Sequence, residues 1–156
     1  MKTEDFYSDF LKIKSMHSSD KIKHRMITEL LSQYSDFWRV IGITRKALSV
    51  FRDHNFKKAP RMCINRAHKK DRYKTSKDML NKEWDNHKDW WNFYIENDTT
   101  VLATSSENCS SKMSEEYEID PQLGLFKKSG YSWTHRSGSN LEQEFLINLY
   151  NSKEIL

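Results

Sequence analysis

The chain has 156 residues, of which 37% are apolar and 13% aromatic, enough for one real core and too aromatic for wholesale disorder. No apolar run reaches the roughly 18 residues of a membrane helix, and the Met-Lys-Thr-Glu-Asp start carries no signal-peptide core, so a cytoplasmic location is expected. Cys63 and Cys109 stand alone without a CxxC, which excludes a zinc ribbon and argues against a disulfide framework.

The net charge of +4 hides an uneven distribution. Residues 1–44 carry 7 basic and 6 acidic groups, 45–82 carry 13 and 3, and 83–156 carry 6 and 13. The middle segment therefore stands at +10 and the last at −7. Such a block favours a polyanionic partner, because each neutralised phosphate releases counterions.

In chain order, Phe6, Tyr7, Phe10, Leu11 and Ile13 predict a short amphipathic helix, broken at His17-Ser18-Ser19. Asp20 is a good N-cap for the next helix, with Ile22, Met26, Ile27, Leu30, Leu31 and Tyr34 at helical spacing. Ser35-Asp36 is read as the cap of a further turn through Phe37, Trp38, Val40 and Ile41, stopping near Gly42. Thr44 caps a helix with Ala47, Leu48 and Phe51 inward, ending at His54-Asn55.

Met62 to Ala67 alternates and predicts a strand, followed by a basic run, Lys69 to Lys74, that is expected to be exposed. Thr75 or Ser76 is expected to cap a helix through Met79, Leu80 and Trp84. Asp85 is the expected cap of another, through Trp90, Trp91, Phe93, Tyr94 and Ile95. These aromatics are assigned to the core, with base stacking as the alternative. Asn97-Asp98 marks a turn before a strand over Thr99 to Thr104, and Ser105 or Ser106 would cap a poor helix. Ser114 to Asp120 is acidic, Pro121 marks a connection, and Tyr131-Ser132-Trp133 suggests a short strand before the Ser137-Gly138-Ser139 loop. Asn140 caps a last helix carrying Leu141, Phe145, Leu146, Leu149 and Tyr150. The expectation is a helix-rich α+β single domain over residues 1–156 with a small antiparallel sheet.

Arg61 to Lys74, Arg-Met-Cys-Ile-Asn-Arg-Ala-His-Lys-Lys-Asp-Arg-Tyr-Lys, is the organising stretch, with His68 where the strand meets the basic run. A neutral imidazole there can accept a proton at neutral pH. Arg66 and Arg72 offer bidentate contacts to phosphate, and Arg61, Lys69, Lys70 and Lys74 extend the basic surface. Of the other histidines, His17, His24 and His87 are expected to be solvated or on polar faces, and His54 at a helix end. His135, beside Arg136, is the rival to His68. No Gly-x-Ser-x-Gly elbow, Walker A or Rossmann fingerprint occurs.

Ile64-Asn65-Arg66-Ala67-His68, then Val101-Leu102-Ala103-Thr104, then Glu107-Asn108 resembles the strand–strand–helix core of the HNH, or ββα-metal, nucleases. The resemblance covers residues 61–113, between a helical part (1–56) and a C-terminal part (114–156). It implies an endonuclease that hydrolyses DNA with one divalent metal, Mg²⁺ or Mn²⁺. His68 would be the general base, Asn97 would orient it, and Asn108 would hold the metal with a carboxylate from Asp71 or Asp98. Two departures are visible: Ala67 stands where many members have a metal ligand, and Asn97 lies two residues before the position spacing would give. The N-terminal helices are expected to offer a dimer or docking surface. A non-enzymatic nucleic-acid-binding protein using the same basic segment is the alternative, and an adaptor using the acidic C-terminal third is a third reading.

Overall fold

A computed structural model describes residues 2–34, 39–57, 62–110, 113–126 and 140–153. The architecture is helix-rich α+β, as expected. Its contacts cluster into two compact units, each assembled from separate stretches: Met1–Phe37 with His68–Thr99, and Trp38–Ala67 with Thr100–Leu156. No helix among the described residues is long and apolar enough to cross a membrane.

The first unit is helical. α1 (Thr3–Ser15) buries Phe6, Phe10 and Ile13, the i, i+4, i+7 stripe of an amphipathic helix. Glu4 and Asp5 in its first turn and Lys12 and Lys14 in its last complement the helix dipole. α2 (Asp20–Leu31) buries Ile27, Leu30 and Leu31. In α4 (Arg72–Asn81) the cap is Asp71, whose carboxylate accepts from the Tyr73 and Lys74 N–H groups. The helix thus begins three or four residues before the predicted cap, and Thr75 and Ser76 become buried members of its inner face with Met79.

α5 (His87–Asn97) is capped by Asn86 rather than Asp85, Asn86 accepting from the Lys88 and Asp89 N–H groups. It sends Trp90 and Tyr94 inward. Trp90 is fully buried, its ring 5.1 Å from Phe10 and 5.5 Å from Tyr7, while Trp91 lies 5.6 Å from Phe6. Large rings at these separations combine apolar burial with edge and offset contacts, so a few side chains hold α1 against α5. The assignment of this aromatic cluster to the core therefore holds for Trp90 and Tyr94, with Trp91 and Phe93 half-buried around them.

The second unit contains the sheet, in strand order β2-β3-β1-β4. β1 is Arg39–Thr44, β2 Ile64–His68, β3 Thr99–Thr104 and β4 Glu116–Glu118. Val40 and Ile41 thus lie in a strand, not in the predicted helical turn, while residues 35–38 fall outside the described residues. A short apolar run fits either period, and here pairing on both edges decides for the strand. β3 is interior to the sheet, and Thr100 through Ala103 are all buried, as a strand covered on both faces requires. β4, from the acidic stretch, pairs antiparallel with β1, Ile43 opposite Tyr117, leaving Glu116 and Glu118 exposed on either side.

The sheet is mixed, not purely antiparallel. The Thr100 hydroxyl donates to the Arg39 carbonyl where β1 and β3 begin, and Thr44 and Thr104 share one carboxylate where they end. Gly42 permits the β1–β4 approach, since a Cβ there would meet the Tyr117 carbonyl oxygen at 3.2 Å. α3 (Arg45–Asp53) buries Ala47, Leu48 and Phe51, as predicted, and Thr44 caps it by accepting from the Ala47 N–H. α7 (Asn140–Ser152) packs beside it, with the Arg52 guanidinium donating to the Tyr150 hydroxyl at 2.8 Å. The predicted strand over residues 131–133 and the 137–139 loop lie outside the described residues.

One carboxylate ties these elements together. Glu107, in the one-turn helix α6 (Ser105–Asn108), is 2% exposed. One of its oxygens accepts from the Thr44 hydroxyl (2.8 Å), the Thr104 hydroxyl (2.8 Å) and the Thr104 N–H (3.0 Å). The other accepts from the Ser114 N–H at 3.0 Å and from the Ser114 hydroxyl. Burial alone would raise its pKa, but the bonds from Ser114, Thr104 and Thr44 outweigh it and hold the group down at about 2.

A carboxyl whose folded pKa lies below its ordinary 4.5 stabilises the fold above pH 4.5 and ceases to as pH falls towards 2. The fall from 4.5 to about 2 corresponds to about 3 kcal/mol. Glu107→Gln is therefore expected to destabilise the protein by about 3 kcal/mol in urea unfolding at pH 7. It is also expected to remove the acid-dependent loss between pH 4.5 and 2; a variant with the wild-type pH profile would show that another group carries it.

Candidate nucleic-acid interface

Because Asp71 caps α4, the predicted basic run divides into a loop, Lys69-Lys70, and a helical first turn, Arg72-Tyr73-Lys74. With Thr75, Ser76 and Met79 turned inward, Tyr73, Lys74 and Lys77 face outward, Tyr73 at 43% exposure. Arg25 on α2 is exposed as well. Among the described residues Arg25, Lys74 and Lys77 form no ion pair. Lys70 is used differently: its ammonium donates to Asn97 Oδ1 at 2.9 Å, pairs with Asp78 at 3.1 Å and lies over the Phe93 ring.

Two imidazoles in this unit sense Arg72. His68, half-buried at the end of β2, has its pKa lowered from 6.5 to about 4, by burial first and then by the Arg72 charge, with Asp71 opposing. His24 on α2 is lowered by burial, Arg72 and Arg25, again against Asp71. Burial is the larger cause in both, and the Arg72 guanidinium adds to it.

His24 was expected to be solvated. Instead it is half-buried, with Nδ1 2.9 Å from the Ser76 hydroxyl and its ring edge-on to Tyr73 at 5.2 Å between centroids. The same Ser76 hydroxyl lies 2.9 Å from the Arg72 carbonyl, four residues back on α4. The sequence signal for this cluster was slight: an aromatic, Tyr73, inside the basic run, and His24-Arg25 on a neighbouring helix face.

The residues implied by the nuclease resemblance have other partners. Asp71 caps α4. Asn97 accepts from Lys70 and donates to the Phe93 carbonyl at 2.7 Å. Asp98 is buried and accepts from the Tyr94 hydroxyl at 2.8 Å. Arg66 donates to the Phe126 carbonyl in the second unit. Arg61 and His135 lie outside the described residues. Among the described residues no three His, Cys, Asp or Glu side chains converge as metal ligands.

The Lys69 N–H donates to the Thr99 carbonyl at the start of β3, and the Ser105 N–H donates to the Cys63 carbonyl past its end. Strand, strand and helix occur in the implied order, and α6, which carries Asn108, is a single turn in the second unit.

The basic block itself is divided between the units. Residues 45–67 belong to the second unit, while residues 68–82, with 6 basic and 2 acidic groups, belong to the first. No family model matches the chain, and no curated protein or solved structure matches it either.

A histidine with a depressed pKa resists protonation in the folded state while the unfolded chain takes up the proton near pH 6.5. Stability therefore falls as pH drops from 6.5 to 4, by about 3 kcal/mol for this shift. His68→Gln is expected to flatten the stability curve in that window, measured as urea midpoints at half-unit pH steps. An unchanged slope there would mean that His68 titrates normally.

Proposed function

We propose that the chain binds nucleic acid along the phosphate backbone, through the face of the first unit formed by Arg25, Arg72, Lys74 and Lys77 with Tyr73 exposed among them. The observation that carries this reading is the outward set of cations, in which Arg25, Lys74 and Lys77 are exposed without a described ion pair and Tyr73 is 43% exposed. Phosphates supply the missing counter-charge and release their own counterions in doing so. An exposed tyrosine in such a setting offers a face on which a base can stack. Supporting binding over hydrolysis, Asp71 is engaged as a helix cap, Asp98 with the Tyr94 hydroxyl and Arg66 with the Phe126 carbonyl. The HNH-type endonuclease acting on DNA is the competing proposal, with His68 as its base.

Fluorescence anisotropy with a labelled DNA oligonucleotide between 50 and 200 mM salt tests the first reading. Four phosphate contacts give a slope of log K against log salt of about −3 to −4, or about 100-fold in affinity across that range. Arg25→Ala with Lys74→Ala and Lys77→Ala is expected to reduce the slope by about 2 to 3, all three sites being exposed. Affinity that ignores salt, or a triple variant that binds like the wild type, would overturn the reading. Incubation with supercoiled plasmid and Mg²⁺ or Mn²⁺ separates the competitor: nicking by the wild type that is lost in His68→Ala favours the nuclease.

A further inference from the structure

Beyond the basic turn of α4 the first unit has a second group of surface side chains. Trp84, in the connection between α4 and α5, and Phe93, on α5, are both half-buried, with ring centroids 5.2 Å apart and planes tilted by 56°. The Trp84 indole N–H donates to the Met79 carbonyl at 3.0 Å, which fixes one edge of the ring against α4. Ammonium groups lie over both rings. Lys82 is 4.5 Å from the Trp84 centroid and 5.6 Å from that of Phe93, and Lys70 is 5.1 Å from Phe93. Lys82 is exposed and forms no ion pair among the described residues. Its ammonium therefore reaches the rings from the solvent side, and the faces it covers open when its flexible stem swings away.

This aromatic pair adjoins the cationic face. Lys70, over Phe93, also pairs with Asp78 at 3.1 Å, and Asp78 follows Lys77 and lies one turn after Lys74 on α4. A ligand that fits both parts has an anionic chain and flat faces free to stack. A duplex has the first without the second, because each base is already held inside the stack. A single strand has both: an unstacked base can take the ring face that Lys82 leaves, while the ammonium moves to the phosphate beside it. The exchange replaces an exposed cation–π contact, which is weak, by a stack and a phosphate contact. We infer that the first unit takes single-stranded nucleic acid in preference to duplex, with one base stacked on Trp84 and Lys82 on its phosphate. The inference rests on the nucleic-acid-binding reading above and specifies the strandedness of the ligand.

Three labelled 12-mer DNA probes distinguish the outcomes: a single strand, the same strand annealed to its complement, and an abasic strand with the same number of phosphates. A surface that acts by charge alone binds the duplex at least as tightly as the single strand, since the duplex carries the denser array of phosphates. The wild-type protein is expected to bind the single strand more tightly than the duplex. Over the abasic strand the preference is expected to be about 10-fold, the worth of one base on an aromatic ring. Trp84→Ala is expected to bring the single strand to abasic affinity, and Trp84→Phe, which keeps a ring, to recover part of the ratio. Lys82→Gln is expected to lower the salt slope with the single strand by about 0.7. Circular dichroism checks the fold of each variant, and the wild-type comparison of single strand with abasic strand decides without any variant. A duplex or an abasic strand bound as tightly as the single strand overturns the stacking and leaves the phosphate-backbone reading standing. A ratio unchanged in folded Trp84→Ala, or lost alike in Trp84→Phe, overturns the assignment to Trp84, and an unchanged slope in Lys82→Gln overturns the part given to Lys82. No binding of any probe at 50 mM salt overturns both readings.

Discussion

The Glu107 carboxylate is the constraint on which the second unit depends. Five donors from three places in the chain converge on its two oxygens: Thr44, Thr104 and Ser114. Burying a charge costs several kcal/mol, so such a group persists only where donors fully replace its water. Here they do, and bonds to an ionised acceptor are stronger than neutral ones. Thr44 shows how the coupling spreads: its proton goes to Glu107 while its oxygen accepts the Ala47 N–H that begins α3. The ends of β1 and β3, the start of α3, the turn of α6 and the approach to β4 are therefore fixed together. An amide at position 107 would turn donors towards donors at one of the two oxygen sites.

The first unit reaches rigidity by different means. Its interior is aromatic, and Trp90 lies close to Tyr7, Phe10 and Trp91 at once. On α4, Thr75, Ser76 and Met79 are turned inward, which leaves Tyr73, Lys74 and Lys77 on the outward side. Arg72 sits where the inner and outer faces meet, and its backbone carbonyl fixes Ser76 while its charge acts on His24 and His68.

How much of this was legible in the sequence follows from the range of each interaction. The strand at Thr99 to Thr104 and the cap at Thr44 were readable because β-rich composition and N-cap chemistry are local. Val40 and Ile41 were not, since a short apolar run is resolved only by neighbours, and these come from β3 and β4, far along the chain. β4 was hidden because the glutamates at 116 and 118 mask the single buried Tyr117 between them. Thr104-Ser105-Ser106-Glu107 is a capping box in plain view, but its links to Thr44, 63 residues back, and to Ser114 belong to the fold alone. The same holds for His24 and Ser76, separated by 52 residues. Order along the chain revealed strand, strand and helix; it carried nothing about α6 being one turn long.

The positive field at Arg72 acts on phosphate and on imidazole in opposite senses. It attracts the anion, and it makes each nearby histidine a weaker base. A general base works best with a pKa near the working pH, so His68, lowered to about 4 by burial first and then by Arg72, has lost much of the driving force for taking a proton from water. A metal could restore reactivity by acidifying that water, but the carboxylates nearest in sequence are engaged elsewhere, Asp71 at the helix cap and Asp98 with Tyr94. What such a field leaves intact is its pull on an anion, which depends on the placement of charge and not on the basicity of the rings beside it.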